Sequence, residues 1–270
     1  MPTVGTPKHV GQALRGLSFA LALAATSMTG RAAEPSPPTS FVIENSVFDE
    51  DDKKIGGSTT IFHEGKVYDS LSEHDAVCVF DATPGRFLLL DGERKLRTEI
   101  TTQQLTEFCD QLRERALAAG SGYVKFAAAP TFAERLDPET NELVLSSDFV
   151  DYRVRMCAPK NDAFLKRYQE FIFWQTKLNA MVNPGAPPPG ARLKLNDALA
   201  SRQQLPEHLS MRRHSLLPGM SKTLRAEHRY QWHVGEPERR RIAEIESQLG
   251  TYQVVAFGEY LRPVIESARK

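Results

Sequence analysis

Cysteine is scarce in this chain. Cys78, Cys109 and Cys157 are its whole complement over 270 residues, and none forms Cys-x-x-Cys. A dense disulfide scaffold and a dithiol redox enzyme are therefore both poor fits. Histidine is scattered, with no His-x-His and no His-Glu-x-x-His, so the convergent spacing of a metal site is missing. Gly-x-Ser-x-Gly, the phosphate loop and the dinucleotide fingerprint are absent, which removes the serine-hydrolase elbow and nucleotide chemistry and implies no cofactor. No apolar run reaches the roughly 18 residues of a membrane span. Net charge is missing as well: 34 Lys/Arg balance 34 Asp/Glu, which argues against nucleic acid as a partner.

The first 33 residues contain no acid and only three bases, Lys8, Arg15 and Arg31. Gly16–Ala25 is apolar on every side, and Gly30-Arg31-Ala32-Ala33 supplies small residues behind it. This is the layout of a cleaved secretory signal over residues 1–33. The expected location is periplasmic or secreted, without lipoprotein anchoring, because no Cys lies near the cleavage region. Residues 34–40 open with Glu-Pro-Ser-Pro-Pro, a stiff and unstructured leader. Residues 41–270 are expected to form one domain, since 41% hydrophobic and 25% charged residues suffice for a proper core.

Short β-rich segments follow at spacings near ten residues: Phe41–Phe48, Gly57–His63, Lys66–Asp69, Ala76–Phe80, Arg86–Leu90 and Lys95–Ile100. Gly, Pro and Asp separate them, which predicts an antiparallel meander rather than βαβ units. Asp49–Asp52 resembles half of a calcium loop but lacks its Gly and terminal Glu, so it reads as a charged hairpin turn. Thr101 and Gln104 then form a capping box, and Leu105, Phe108, Cys109, Leu112 and Ala116 mark one buried helical face. Two strands are expected next, Tyr123–Ala129 and Leu143–Cys157. In the second, Val150, Tyr152, Val154 and Met156 oppose Asp151, Arg153 and Arg155, the signature of a sheet with one wet face.

Asp162–Met181 reads as an aromatic-rich helix that covers the sheet. The Pro-rich stretch 183–191 is expected as a surface loop. Beyond it, Leu209–Leu216 and Lys222–Val234 flank a Pro218-Gly219 turn, a helix starts near Pro237, and a strand Tyr252–Phe257 and a short helix finish the chain. The expected fold class is thus α+β, a curved antiparallel sheet with helices packed on one face.

Several residues stand out as candidate sites. Phe171 and Trp174 on the long helix, with Tyr230 and Trp232 on the alternating strand, are the candidates to line an apolar ligand site. Cys78 and Cys157 fall on separate expected strands and form the candidate disulfide. Cys109 reads as a buried hydrophobe. His228 is unusual in lying on the apolar face of its strand, where a core histidine with one hydrogen-bond partner is the simpler account. Charge is also unevenly spread: residues 34–160 carry 14 bases against 23 acids, and residues 161–270 carry 17 against 11. Either the two halves face one another, or the basic C-terminal part, including Arg239-Arg240-Arg241, meets an anionic envelope component. On the helix from Pro237, Glu236–Arg240 and Glu238–Arg241 have the spacing of surface ion pairs.

The succession Thr59-Thr60-Ile61-Phe62, Lys66-Val67-Tyr68-Asp69, Val79-Phe80-Asp81 and Phe87-Leu88-Leu89-Leu90-Asp91 behind an export signal resembles exported half-barrels of the lipoprotein-carrier (LolA/LolB-like) superfamily. The likeness covers about residues 40–160. It implies a strongly curved antiparallel sheet wrapped around helices, enclosing an apolar cavity for lipid or acyl chains; no binding residue carries over. Three functions follow as expectations: binding of an apolar or lipid-like ligand, a cell-envelope scaffold using the basic surface, or a hydrolase with dispersed carboxylates, which would leave no local motif.

Overall fold

The computed structural model describes residues 40–118, 122–214 and 222–267. The expected export signal, nearly all of the expected leader, the Gly120-Ser121 end of the first helix and the expected Pro218-Gly219 turn lie outside the described residues.

The N-terminal meander forms as its breakers dictate. Strands β1 (Phe41–Phe48), β2 (Lys54–His63), β3 (Lys66–Leu71), β4 (Ala76–Asp81), β5 (Arg86–Asp91) and β6 (Leu96–Thr101) pair in sequence, each antiparallel to the next. The Asp49 carboxylate caps the first turn by accepting from the backbone N–H groups of Asp51 and Lys53, each at 3.0 Å. His63 and Lys66 are paired across a two-residue turn in which Glu64 and Gly65 both have positive φ, 43° and 84°. That backbone twist matches the strands it joins, and Gly65 adopts it without cost.

Helix α1 (Thr102–Ala118) starts at its capping box: Thr101 N–H donates to the Gln104 side chain at 2.8 Å, and Gln104 N–H donates to the Thr101 hydroxyl at 3.2 Å. Then come α2 (Gly122–Ala128), β7 (Ala133–Asp137), β8 (Glu142–Ser146), β9 (Val150–Cys157), α3 (Asp162–Val182), α4 (Gly190–Ser201), β10 (Leu205–Arg213), β11 (Lys222–Gln231), α5 (Glu236–Thr251), β12 (Gln253–Val254) and the short α6 (Phe257–Tyr260) and α7 (Arg262–Ser267). The strands form one sheet in the order β12-β6-β5-β4-β3-β2-β1-β11-β10-β9-β8-β7. All neighbours are antiparallel except β12 on β6. Two meanders are thus joined edge to edge by β1 and β11.

The sheet is curved and not closed. Its eleven inter-strand steps would span roughly 50 Å if flat, whereas the 21 residues of α3 make a rod of about 30 Å. Yet one core cluster unites α3 with Phe87 and Leu89 of β5, Ile100 of β6 and Leu205 of β10. Only a sheet that curls around the helix brings those strands to it. Phe41, Phe62, Phe80 and Phe87 point inward against Phe164 and Phe171. Farther along the same inner face, Leu143, Val154 and Leu209 receive Leu195 and Leu199 of α4. Helices α1 to α4 belong to this inner side. The reverse face of the first meander, with Val42, Ile61, Val79 and Leu88, is covered by Ile245 and Leu249 of α5, which lies on the other side of the sheet.

Local readings needed correction in five places. Tyr123–Ala128, expected as strand, lies in α2, because Phe126 packs on Phe132 and Phe149 and the Arg113 guanidinium caps the Ala128 carbonyl at 3.2 Å. Leu143–Cys157 is two strands, broken where the Ser147 hydroxyl folds back on Val150. Helix α4 directly follows the Pro-rich stretch, whose end it takes over from Gly190. The final strand shrinks to Gln253–Val254. The candidate disulfide is not formed: all three cysteines are free, with Cys78 on β4 and Cys157 on β9, six strands away in the sheet.

Candidate functional site

Along β1, β2 and β3 the inward positions begin apolar and then turn polar. Phe41 and Ile43 are followed by Asn45, Phe62 by Thr60 and Ser58, and Val67 by Asp69. The register sets Asn45 opposite both Ser58 and His228, and Thr60 opposite Asp69. These side chains form a ladder across four strands. The Asn45 amide donates to the Ser58 hydroxyl at 3.0 Å and the Thr60 hydroxyl at 3.1 Å. Thr60 donates in turn to the Asp69 carboxylate at 2.7 Å. With its NH2 committed, Asn45 has only its carbonyl oxygen left for Nδ1 of His228 at 2.6 Å. Nδ1 therefore carries the proton, and Nε2 is left as an acceptor.

Burial dominates the electrostatics here. It pushes the His228 pKa down to about 3, with the charges of Arg192 and His208 acting the same way. The imidazole is accordingly neutral at neutral pH, and among the described residues its buried Nε2 has no hydrogen-bond partner. Burial likewise raises the Asp69 pKa against the opposing hydrogen bonds of Thr60 and Ser58.

Two clefts open beside the C-terminal half of α3, one on each flank. The first, about 530 Å³, lies between α3, the Pro-rich segment, the start of α4 and the inner face of β9 and β10. Tyr152, Ile172, Thr176, Ala180 and Met211 line it, Pro187–Pro189 form a rim, and Arg192 and Arg213 supply its charge. The second, about 550 Å³, is bounded by Leu71, Cys78, Leu89, Leu178, Val182 and Tyr260, with Asp69 on its wall. Asn179 and Asn183 border both clefts. Each volume lies in the range of small-ligand sites. Among the described residues the second cleft has Asp69 as the carboxylate on its walls, whereas paired-acid hydrolysis requires two.

The four aromatic candidates sit elsewhere. Phe171 is buried, edge-on to Phe62 with ring centres 5.5 Å apart. Tyr230 and Trp232 stack at 5.3 Å, and Trp232 also meets Phe164 at 5.4 Å; the Tyr230 hydroxyl donates to the Pro206 carbonyl at 2.7 Å. These three are brought together as packed core. Trp174 stands apart, edge-on to the exposed Phe173 and under the Lys177 ammonium at 4.9 Å. None of the four borders either cleft. Asn45, Thr60, Asp69 and Arg192 escaped the sequence reading. For the three on strands the available signal was polarity at inward positions of apolar strands, which had marked His228 alone.

Ion pairs between the two halves offset little of the charge asymmetry, since Lys66–Glu246 and Arg155–Glu207 take their base from the acidic half. Lys66–Glu246 at 2.8 Å, Arg155–Glu207 at 3.0 Å, His214–Asp151 at 3.0 Å, and the contacts Arg202–Glu134 and Arg225–Asp52 all join the acidic half to the basic half. On α5, Glu236 does meet Arg240, at 3.8 Å. Glu238, however, turns back to cap Gly235 N–H, and Arg241 takes Glu244 instead. Among the described residues no three His, Cys, Asp or Glu side chains gather as metal ligands, and no helix is long and apolar enough to cross a membrane.

No protein-family model matches the chain, and no curated protein matches it either.

Proposed function

We propose that this is an exported, non-enzymatic protein that holds an apolar, lipid-like ligand within its curved sheet. One observation carries the reading: two mainly apolar clefts of about 530 and 550 Å³ flank the same helix end and share Asn179 and Asn183. A chain-like ligand can lie along either flank of α3 or wrap around its end. The export part of the reading rests on the acid-free apolar stretch before residue 34. The site is a gap beside α3, where small residues such as Ala180 and Ala191 leave space, and not the stacked aromatics beneath its first half.

The test uses dodecanol as probe, followed by native mass spectrometry. Wild type is expected to retain one dodecanol per chain. Asn179→Trp, a change at an exposed position bordering both clefts, is expected to abolish retention while the variant stays folded. Absence of a dodecanol adduct on the wild type, or undiminished retention by the variant, would overturn the reading.

A further inference from the structure

The polar ladder has a direction, and it ends at a cleft. Nδ1–H of His228 donates to Asn45, the Asn45 amide donates to Ser58 and Thr60, and Thr60 donates to Asp69. Each step runs from β11 toward β3, so the acceptor end of the chain is the Asp69 carboxylate. That carboxylate lies on the wall of the second cleft. Asp69 is only 9% exposed, and the groups that hold it there are neutral hydroxyls. Among the described residues it forms no ion pair. A buried carboxylate without a counter-charge is costly, because desolvation is not offset by pairing.

The rest of the wall does not supply that charge. Leu71, Leu89, Leu178 and Val182 make it apolar, and Gln175 and Asn179 contribute neutral amides. Among the described residues no Lys or Arg lines it, and the imidazole on its wall, His74, is exposed. Arg94, over the Tyr260 ring at 5.4 Å, is committed to Asp91 at 2.7 Å and to the Tyr260 carbonyl at 2.7 Å. The first cleft is the reverse case: Arg192 and Arg213 line it, and among the described residues no acid does. Two apolar clefts of similar size, on two flanks of one helix, thus differ in the sign of the charge they offer.

Resting on the cleft-binding reading above, we propose that the second cleft binds a primary alkylammonium amphiphile, its ammonium donating to the Asp69 carboxylate and its chain lying along Leu71, Leu89, Leu178 and Val182. An ammonium has three N–H donors and no acceptor, which suits a carboxylate with neutral amides beside it. An alcohol donates one hydrogen bond and brings no charge. A carboxylate head would set two like charges together at Asp69. Thr60, itself held by Asn45, fixes the Asp69 carboxylate before a ligand arrives, so little ordering is left to the binding step.

Three probes are titrated calorimetrically at pH 7, where an alkylamine, like Lys, is protonated: dodecylammonium chloride, dodecanol and butylammonium chloride. Dodecylammonium is expected to bind about tenfold tighter than dodecanol, the scale of a hydrogen bond to a charged group, and tighter still than butylammonium, which lacks the chain. Asp69→Asn keeps an acceptor for Thr60 and removes the charge. It is expected to erase the advantage of dodecylammonium over dodecanol while leaving dodecanol affinity unchanged. Ala76 lines the second cleft and not the first, so Ala76→Trp is expected to erase the same advantage by filling that cleft alone.

Equal binding of dodecylammonium and dodecanol to the wild type overturns the head-group proposal and leaves the cleft reading intact. An advantage that survives Asp69→Asn removes Asp69 as the counter-charge, and one that survives Ala76→Trp removes the second cleft as the site. Butylammonium bound as tightly as dodecylammonium overturns the amphiphile and leaves a site for small amines. If no probe binds, both readings fall.

Discussion

Consider replacing His228 by Gln and following unfolding by denaturant between pH 7 and pH 5. In the native chain burial holds the imidazole pKa at about 3, against 6.5 when free. The unfolded chain thus binds a proton that the folded chain refuses. The sign follows: where the unfolded state binds more protons, stability rises with pH, so this contribution is harmless above about pH 6.5 and grows as a penalty on acidification. At 1.36 kcal/mol per unit, the penalty reaches about 2 kcal/mol by pH 5. Asp69 works in the other direction, because its raised pKa lets the folded chain take up a proton more readily. It is present in both proteins and largely cancels in their difference.

The assay is urea unfolding monitored by tryptophan fluorescence, fitted for both proteins at each half-unit of pH. Wild type should lose about 2 kcal/mol more than His228→Gln between pH 7 and pH 5. At pH 7 the variant should itself be less stable by about 1 kcal/mol, through the altered bond to Asn45. A stability difference that stays constant to within about 0.5 kcal/mol across that range would refute the claim that His228 is buried and neutral.

Other outcomes follow from the packing and the thiols. Phe41 is fully buried, stacked on Phe62 with ring centres 4.0 Å apart and touching Phe164 and Trp232; Phe41→Ala should cost about 3–5 kcal/mol in the same unfolding assay, and a cost near 1 kcal/mol would mean this face of the sheet is not packed. Burial pushes the Cys157 thiol from 9.0 up to about 11 and raises Cys78 and Cys109 as well. Iodoacetamide at pH 8 should therefore label the native protein far more slowly than the unfolded one, by about a hundredfold at Cys157 from its thiolate fraction alone. Three thiols should be counted after unfolding without reductant. Fast native labelling, or only one thiol, would contradict the free and shielded cysteines.

Much of this protein is written locally. Short β-rich runs between Gly, Pro and Asp breakers placed most of the strands from β1 to β6, and period-two alternation placed the inward set of β9, because a pleated strand with one wet face admits no other pattern. The Thr101–Gln104 box located the start of α1 to the residue, since two orphan amides need those two side chains wherever the helix is built. Where local pattern was ambiguous, packing decided. Tyr123–Ala128 alternates well enough for a strand, but its neighbours α1 and α4 offered helical docking. Ala191, Leu195, Ala198 and Leu199 carried a helical spacing that the adjacent prolines obscured.

Other features belong to the tertiary structure alone. Nothing near residue 45 announces that its partner lies 183 positions away at His228; the joining of two meanders through β1 and β11 makes that pair. The ladder from His228 to Asp69 depends on that join. His228 could be singled out from sequence as a polar residue on an apolar face. That its proton sits on Nδ1 follows only from the Asn45 carbonyl oxygen that the sheet brings to 2.6 Å of it, with the Asn45 NH2 committed to Ser58 and Thr60. Local chemistry sets the period and ends of each element, whereas a site assembled from four strands and a helix requires the register among them, which is a property of the whole fold.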